Sequence, residues 1–174
     1  MSRSLSFQKG PAGEKLLAWH RGLKEHDRGG RARLRRASSP AEVAYEPAYH
    51  HLLRALVPDL EPDDVPLRAA LAAVAGLAAR VEEHVASAKL ATQMGTPADK
   101  RAGSPPVSEP RFRRLLTLDD PAERFSHLAR IVDLLGRRVN LLSLADAAYR
   151  WDATTRQQWA YDYYLAAPDR TANS

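Results

Sequence analysis

The chain has 174 residues, enough for one ordinary domain or two small ones, and its 26 Lys and Arg against 21 Asp and Glu leave a net charge of +5. It contains no cysteine, which excludes disulfides, thiolate metal sites and thiol nucleophiles and fits a reducing cytoplasm. The amino terminus has no apolar signal core, and the longest uncharged apolar run, Ala69 to Ala79, would span about 16 Å as a helix against the roughly 30 Å of a bilayer core. A soluble, cytoplasmic protein with no membrane contact is predicted.

No stretch alternates branched and polar residues for long enough to mark a sheet, so the predicted fold is all-α. A first helix runs from Gly13 to His26 with Leu16, Leu17, Trp19 and Leu23 inward, and the Gly29-Gly30 pair interrupts it. Arg28 to Arg36, RGGRARLRR, then carries five arginines and no acid. In a helix Arg28, Arg31 and Arg35 share one face, Arg33 and Arg36 flank it, and Leu34 turns to the core. Neighbouring guanidinium groups repel unless solvent or an anion absorbs the charge, and their planar forks match phosphate. Ser39-Pro40-Ala41-Glu42 is a capping box with proline at the first helical position.

A short helix follows from Pro47 to Leu56, then a Pro/Asp-rich connector from Pro58 to Pro66. Leu67, Leu71, Val74, Leu77 or Ala78, Val81 and Val85 keep a 3.6-residue period and predict one long central helix of about five turns. Met94 to Val107, MGTPADKRAGSPPV, lacks periodic apolar positions and reads as a linker or mobile loop. Beyond it SEPRFRRLL is a helix with Phe112, Leu115 and Leu116 inward and a second arginine stripe in which Arg111 and Arg114 lie together on another face. Asp120-Pro121-Ala122-Glu123 caps the next helix, which carries Arg130 and stops near Gly136, where Arg137 and Arg138 complement the helix dipole. Helices from Leu141 to Trp151 and from Thr154 to Ala166 complete the fold, before Pro168 and a polar tail expected to fray. The predicted organisation is an N-terminal helical bundle over 1–95, the linker or loop over 96–107, and a C-terminal bundle over 108–174.

The motifs occur in a telling order: WHRGL, RARLRRASSPAEV, a long Ala/Leu helix, SEPRFRRLL, LARIVDLL and RQQWAYDYY. Over Leu16 to Leu165 this order resembles the CasB family, the small subunit of Cascade, the type I-E CRISPR surveillance complex. The resemblance implies an all-helical fold of two small bundles and a non-catalytic role in holding the displaced DNA strand. It also implies as partners the backbone and large Cascade subunits, a second copy of the chain, the DNA of the R-loop and, as a further contact, the guide RNA. Arg35 and Arg36 match the paired arginines before the family's SxPxE cap, Arg111 the basic residue of the second stripe, and Arg130 the arginine of the following helix. Gly30 and Pro110 depart from the family pattern. With the rest of both stripes the candidate nucleic-acid-binding set is Arg28, Arg31, Arg33, Arg35, Arg36, Arg111, Arg113, Arg114, Arg130, Arg137 and Arg138.

Two arginine stripes on separate helices can wall a groove that follows a phosphate backbone without reading bases. No aromatic stacking platform stands beside either stripe, because Trp151, Trp159, Tyr161, Tyr163 and Tyr164 gather at the carboxyl end and read as core or subunit contacts. No catalytic residue, cofactor or metal is predicted. His26-Asp27, Glu82-Glu83-His84 and His50-His51 lack the spaced partners of a metal site, and neither a GxSxG elbow nor a Gly-rich phosphate loop occurs. The alternative is a helical adapter whose basic face meets an acidic protein and touches no nucleic acid.

Overall fold

A computed structural model describes residues 5–58, 63–99 and 103–169. The chain runs through α1 (Pro11–His26), α2 (Arg28–Arg36), α3 (Pro40–Val43), α4 (Pro47–Leu56), α5 (Val65–Ala78), β1 (Glu83–His84), α6 (Leu90–Gly95), α7 (Glu109–Leu116), α8 (Pro121–Leu134), β2 (Arg138–Val139), α9 (Leu141–Tyr149) and α10 (Ala153–Ala166). The fold is all-α apart from one parallel pairing of β1 with β2, in which Glu83 lies opposite Arg138 and His84 opposite Val139. No described helix is long and apolar enough to cross a membrane.

Most helices start where capping chemistry dictates. The side chains of Asp27, Ser39, Asp64, Asp120, Asn140 and Asp152 each accept a backbone N–H of the following first turn. Proline occupies the first turn of α1, α3, α4, α5, α7 and α8, where its missing N–H costs nothing. Pro110 is therefore compatible with its helix.

The core is contiguous from Phe7 to Tyr163. Its centre is α5, whose residues Leu71 to Ala78 are all buried, and which packs against α3, α4, α8 and α9. Its small Ala and Gly side chains let these neighbours approach closely. Farther along, α6 lies against α10, and α1 against α4 and α2.

Three sequence expectations need revision. The periodic run from Leu67 to Val85 is not one helix: α5 ends at Ala78, Val81 is buried outside a helix, and Val85 donates to Val139 O at 2.9 Å. A two-residue strand is too short to show alternation, and Val81 and Val85 fall on the helical period by coincidence. The break between α1 and α2 lies at Asp27, ahead of the glycine pair, because Asp27 Oδ1 accepts from Gly30 N at 2.9 Å and caps α2. A Cβ at Gly30 would lie 2.2 Å from that carboxylate, so a larger residue there would push Asp27 out of its capping position. Finally, the ends of the Met94–Val107 segment are built into the core. Both are fully buried, Val107 N donates to Met94 O at 3.2 Å, and Tyr163 Oη donates to Val107 O at 2.7 Å. Residues 100–102 of that segment, 59–62 of the Pro/Asp-rich connector and 170–174 of the tail lie outside the described residues.

Candidate nucleic-acid interface

Leu34 is fully buried and anchors α2, so the arginines around it point outward or along the body of the protein. Those on the inner side are already engaged. Arg31, with a side chain 14% exposed, lies 3.0 Å from Glu82 and donates to Val81 O at 3.2 Å, and Arg35 is 3.7 Å from the same Glu82 carboxylate. Lys24 Nζ donates to Glu82 O, and His20 Nε2 meets Val81 O at 2.7 Å. The turn after α5 thus gathers cations from α1 and α2. Those arginines help hold the Glu82 carboxylate below its ordinary pKa, although its partial burial works the other way. On the outer side Arg33 pairs with Glu46 at 2.8 Å. Arg28 and Arg36 are exposed and make no ion pair with a described residue.

The open side of α2 faces a recess of about 330 Å³ lined by Ala32, Arg35, Arg36, Arg80, Asp133 and Arg137. Four guanidinium groups from α2, the turn after α5 and the turn after α8 therefore share one hollow with a single carboxylate. Arg80 forms its floor. Its Nη2 donates to Ala37 O at 3.0 Å and its guanidinium carbon sits 6.0 Å from the Phe125 ring centre. Burial first, then Arg35 and Arg137, push the Arg80 pKa down, while Asp133 opposes them. Arg137 has a φ of 63° directly after Gly136 at 67°. A left-handed arginine is costly, and its neighbours hold it there. Its N–H donates to Val132 O at 2.9 Å, its carbonyl accepts from Glu82 N at 2.8 Å, and its Nε meets Asp133 Oδ1 at 3.1 Å.

A second cluster surrounds His127. The positive fields of Arg111, Arg130 and Arg114 all lower its pKa after burial, and its Nε2 meets Arg111 O at 3.0 Å. Arg114 pairs loosely with Glu123 at 3.7 Å, both well exposed, whereas Arg111, Arg113 and Arg130 make no ion pair with a described residue. Arg130 and Asp133 are one turn apart on α8, a rise of about 4.5 Å, so the His127 cluster and the recess lie along one side of the same helix.

The structure thus brings Arg35, Arg36 and Arg137 together, and separately Arg111, Arg114 and Arg130. Arg31 and Arg33 are tied to Glu82 and Glu46, Arg138 to Glu83 at 3.0 Å across the strand pair, and Arg113 lies near Tyr164. Arg137 does sit at the end of α8, where its N–H closes the last turn on Val132 O from a left-handed residue, whereas Arg138 is strand. Sequence reasoning missed Arg80, Glu82, Asp133 and His127. Arg80 alone had a signal, as the single cation that ends the apolar run from Ala69.

The carboxyl-terminal aromatics divide. Trp151, Trp159 and Tyr163 are buried, with Tyr163 stacked on Phe112 at 4.0 Å, while Tyr161 and Tyr164 are exposed. Asp27 of the His26-Asp27 dipeptide is a helix cap, and His84 Nδ1 accepts from Leu141 N at 3.0 Å. Among the described residues no three His, Asp or Glu side chains are placed to hold a metal.

No curated protein matches the chain. Its fold is similar to that of a chain in the crystal structure of E. coli Cascade bound to a PAM-containing dsDNA target, with a TM-score of 0.65 and 20% identity over 87% of this chain and 97% of that one. Residues 30–164, which include both arginine clusters and the recess, match the family of CRISPR-associated protein Cse2. The chain therefore belongs to the Cse2 (CasB) family.

Proposed function

We propose that this protein is the non-catalytic small subunit of a type I-E CRISPR Cascade effector complex. In that role it binds nucleic acid and stabilises the R-loop and its displaced DNA strand in antiviral defence in the cytoplasm. The observation that carries this reading is the alignment, along one side of α8, of the arginine recess and the His127 cluster in a chain of the Cse2 family. Guanidinium forks in a polar hollow grip phosphates, and none of the recess's lining residues is aromatic, so the recess itself offers no aromatic face to a base. Such contacts position a strand and leave sequence to guide–target pairing. The partners are the backbone and large subunits, a second copy of the chain, the R-loop DNA and the guide RNA. The two-bundle organisation with a boundary near 96–107 belongs to the same proposal.

The test is a titration of the purified protein with single-stranded DNA, double-stranded DNA and RNA at several salt concentrations. Single strands should bind with an affinity that falls steeply with salt. Folded protein that binds none of the three near physiological salt would overturn this reading in favour of a protein adapter.

A further inference from the structure

The recess contains an acid where a phosphate seat would have none. Asp133 is the one carboxylate among its lining residues, and it sits 3.1 Å from Arg137 Nε. Arg36 beside it has no ion-pair partner among the described residues, and Arg35 leans away toward Glu82 at 3.7 Å. Asp133 is half exposed, with a side chain 50% accessible, so its pair with Arg137 is weak and exchangeable. The backbone at Gly136 and Arg137 is left-handed at both residues, held so by the bonds of Arg137 N–H to Val132 O and of Glu82 N–H to Arg137 O, and it brings Arg137 to the same hollow.

Resting on the Cascade reading above, we propose that the recess seats one backbone phosphate of the bound strand, with Arg80 as its floor, and that Asp133 is the internal anion which that phosphate displaces. In the free protein Asp133 relieves the mutual repulsion of Arg35, Arg80 and Arg137. On binding, the phosphate takes over Arg137 and Arg36, and Asp133 swings to solvent. Asp133 therefore lowers affinity: it sets how readily a strand is captured and released.

The experiment measures the affinity of the full-length protein for a labelled single-stranded oligonucleotide. The variants are wild type, Asp133→Asn, the remote control Asp162→Asn, Arg36→Ala and the double variant Asp133→Asn/Arg36→Ala. Helicity is checked for each. Asp133→Asn should tighten binding by about two- to fivefold, the scale of one exposed ion pair, while Asp162→Asn, with the same change in net charge, moves it far less. The gain should vanish when Arg36 is absent. An equal effect of the two Asp→Asn changes, weaker binding by Asp133→Asn, or a gain that persists without Arg36 would overturn the seat while the wild type still binds DNA. If folded wild type and Asp133→Asn both fail to bind the oligonucleotide, the Cascade reading falls and the seat with it. Inorganic phosphate, titrated at constant ionic strength, separates a strand phosphate from a free anion. The proposal expects it to displace the strand no better than chloride, and efficient displacement would reassign the recess to a free anion.

Discussion

The arginine-rich helices α2 and α7 read alike in sequence and differ in what their side chains already hold. On α2, Arg31 and Arg35 share Glu82, and Arg33 is held by Glu46. On α7 and the adjoining α8, Arg111, Arg113 and Arg130 have no ion-pair partner among the described residues, and Arg114 has a distant one at 3.7 Å. Density of arginine is thus not availability of arginine. A guanidinium whose fork is filled by a carboxylate positions the fold, and one left open can take a phosphate.

The largest effects should come from the open guanidiniums. Arg36→Glu combined with Arg130→Glu is expected to lower affinity for single-stranded DNA by more than about tenfold, because two linked contacts on one strand are lost and replaced by repulsion. Arg33→Glu, equal in charge change per site but already paired with Glu46, should matter far less per substitution. Comparable losses per site from Arg33→Glu and Arg36→Glu, in proteins of wild-type helicity, would break the distinction between the helices.

Next in size are effects on stability. Arg31→Ala removes a nearly buried donor shared by Glu82 and Val81 O, and should cost about 1–3 kcal/mol in urea unfolding while leaving DNA affinity within a small factor of wild type. Asp120→Ala deletes the cap of α8, which accepts from Ala122 N and Glu123 N, and should cost about 1 kcal/mol. A stability-neutral Arg31→Ala that abolishes binding would place Arg31 on the DNA path instead.

The two regions also differ in how they respond to acid. Burial lowers the pKa of His20, beneath the first stripe, and of His127, inside the second cluster. For His20 the unfolded chain takes up a proton as pH falls below about 6.5 while the folded one does not, so its stabilising contribution is complete above that pH and is lost on acidification. The urea midpoint should decline from pH 7.5 to 5.5, less so in His20→Gln. His127 stays neutral at physiological pH and adds a positive charge to its cluster only below its depressed pKa. DNA affinity should therefore rise modestly toward pH 5.5 in the wild type and not in His127→Gln.

The contrast also explains what could be read from the sequence. Helix starts were legible because caps are local: Ser39 and Asp120 act on residues two or three positions away. The all-α class followed from periodicity, and the family from the order of short motifs. The acids that occupy arginines were not legible, because Glu82 reaches Arg31 and Arg35 only once the turn after α5 packs beside α2. Arg137 joins the recess only through a left-handed turn, and Arg80 only because α5 ends at Ala78, which puts Arg80 in the turn that follows. The same long-range pairing hid β1 and β2, whose two residues each have no pattern of their own, and which Arg138 and Glu83 join by an ion pair.

The central claim is that the recess and the His127 cluster hold one strand together. Its most direct measurement is the salt dependence of long single-strand binding by wild type, Arg35/Arg36→Ala, Arg111/Arg130→Ala and the quadruple variant, with helicity verified for each. About four neutralised phosphates give the wild type a slope of log affinity against log salt near −3; removing Arg111 and Arg130 should flatten it by about 1.4, and removing Arg35 and Arg36, of which only Arg36 is unpaired, by about 0.7. Slopes unchanged in both double variants, with affinity losses that simply add, would show that the two arginine clusters do not share a nucleic acid.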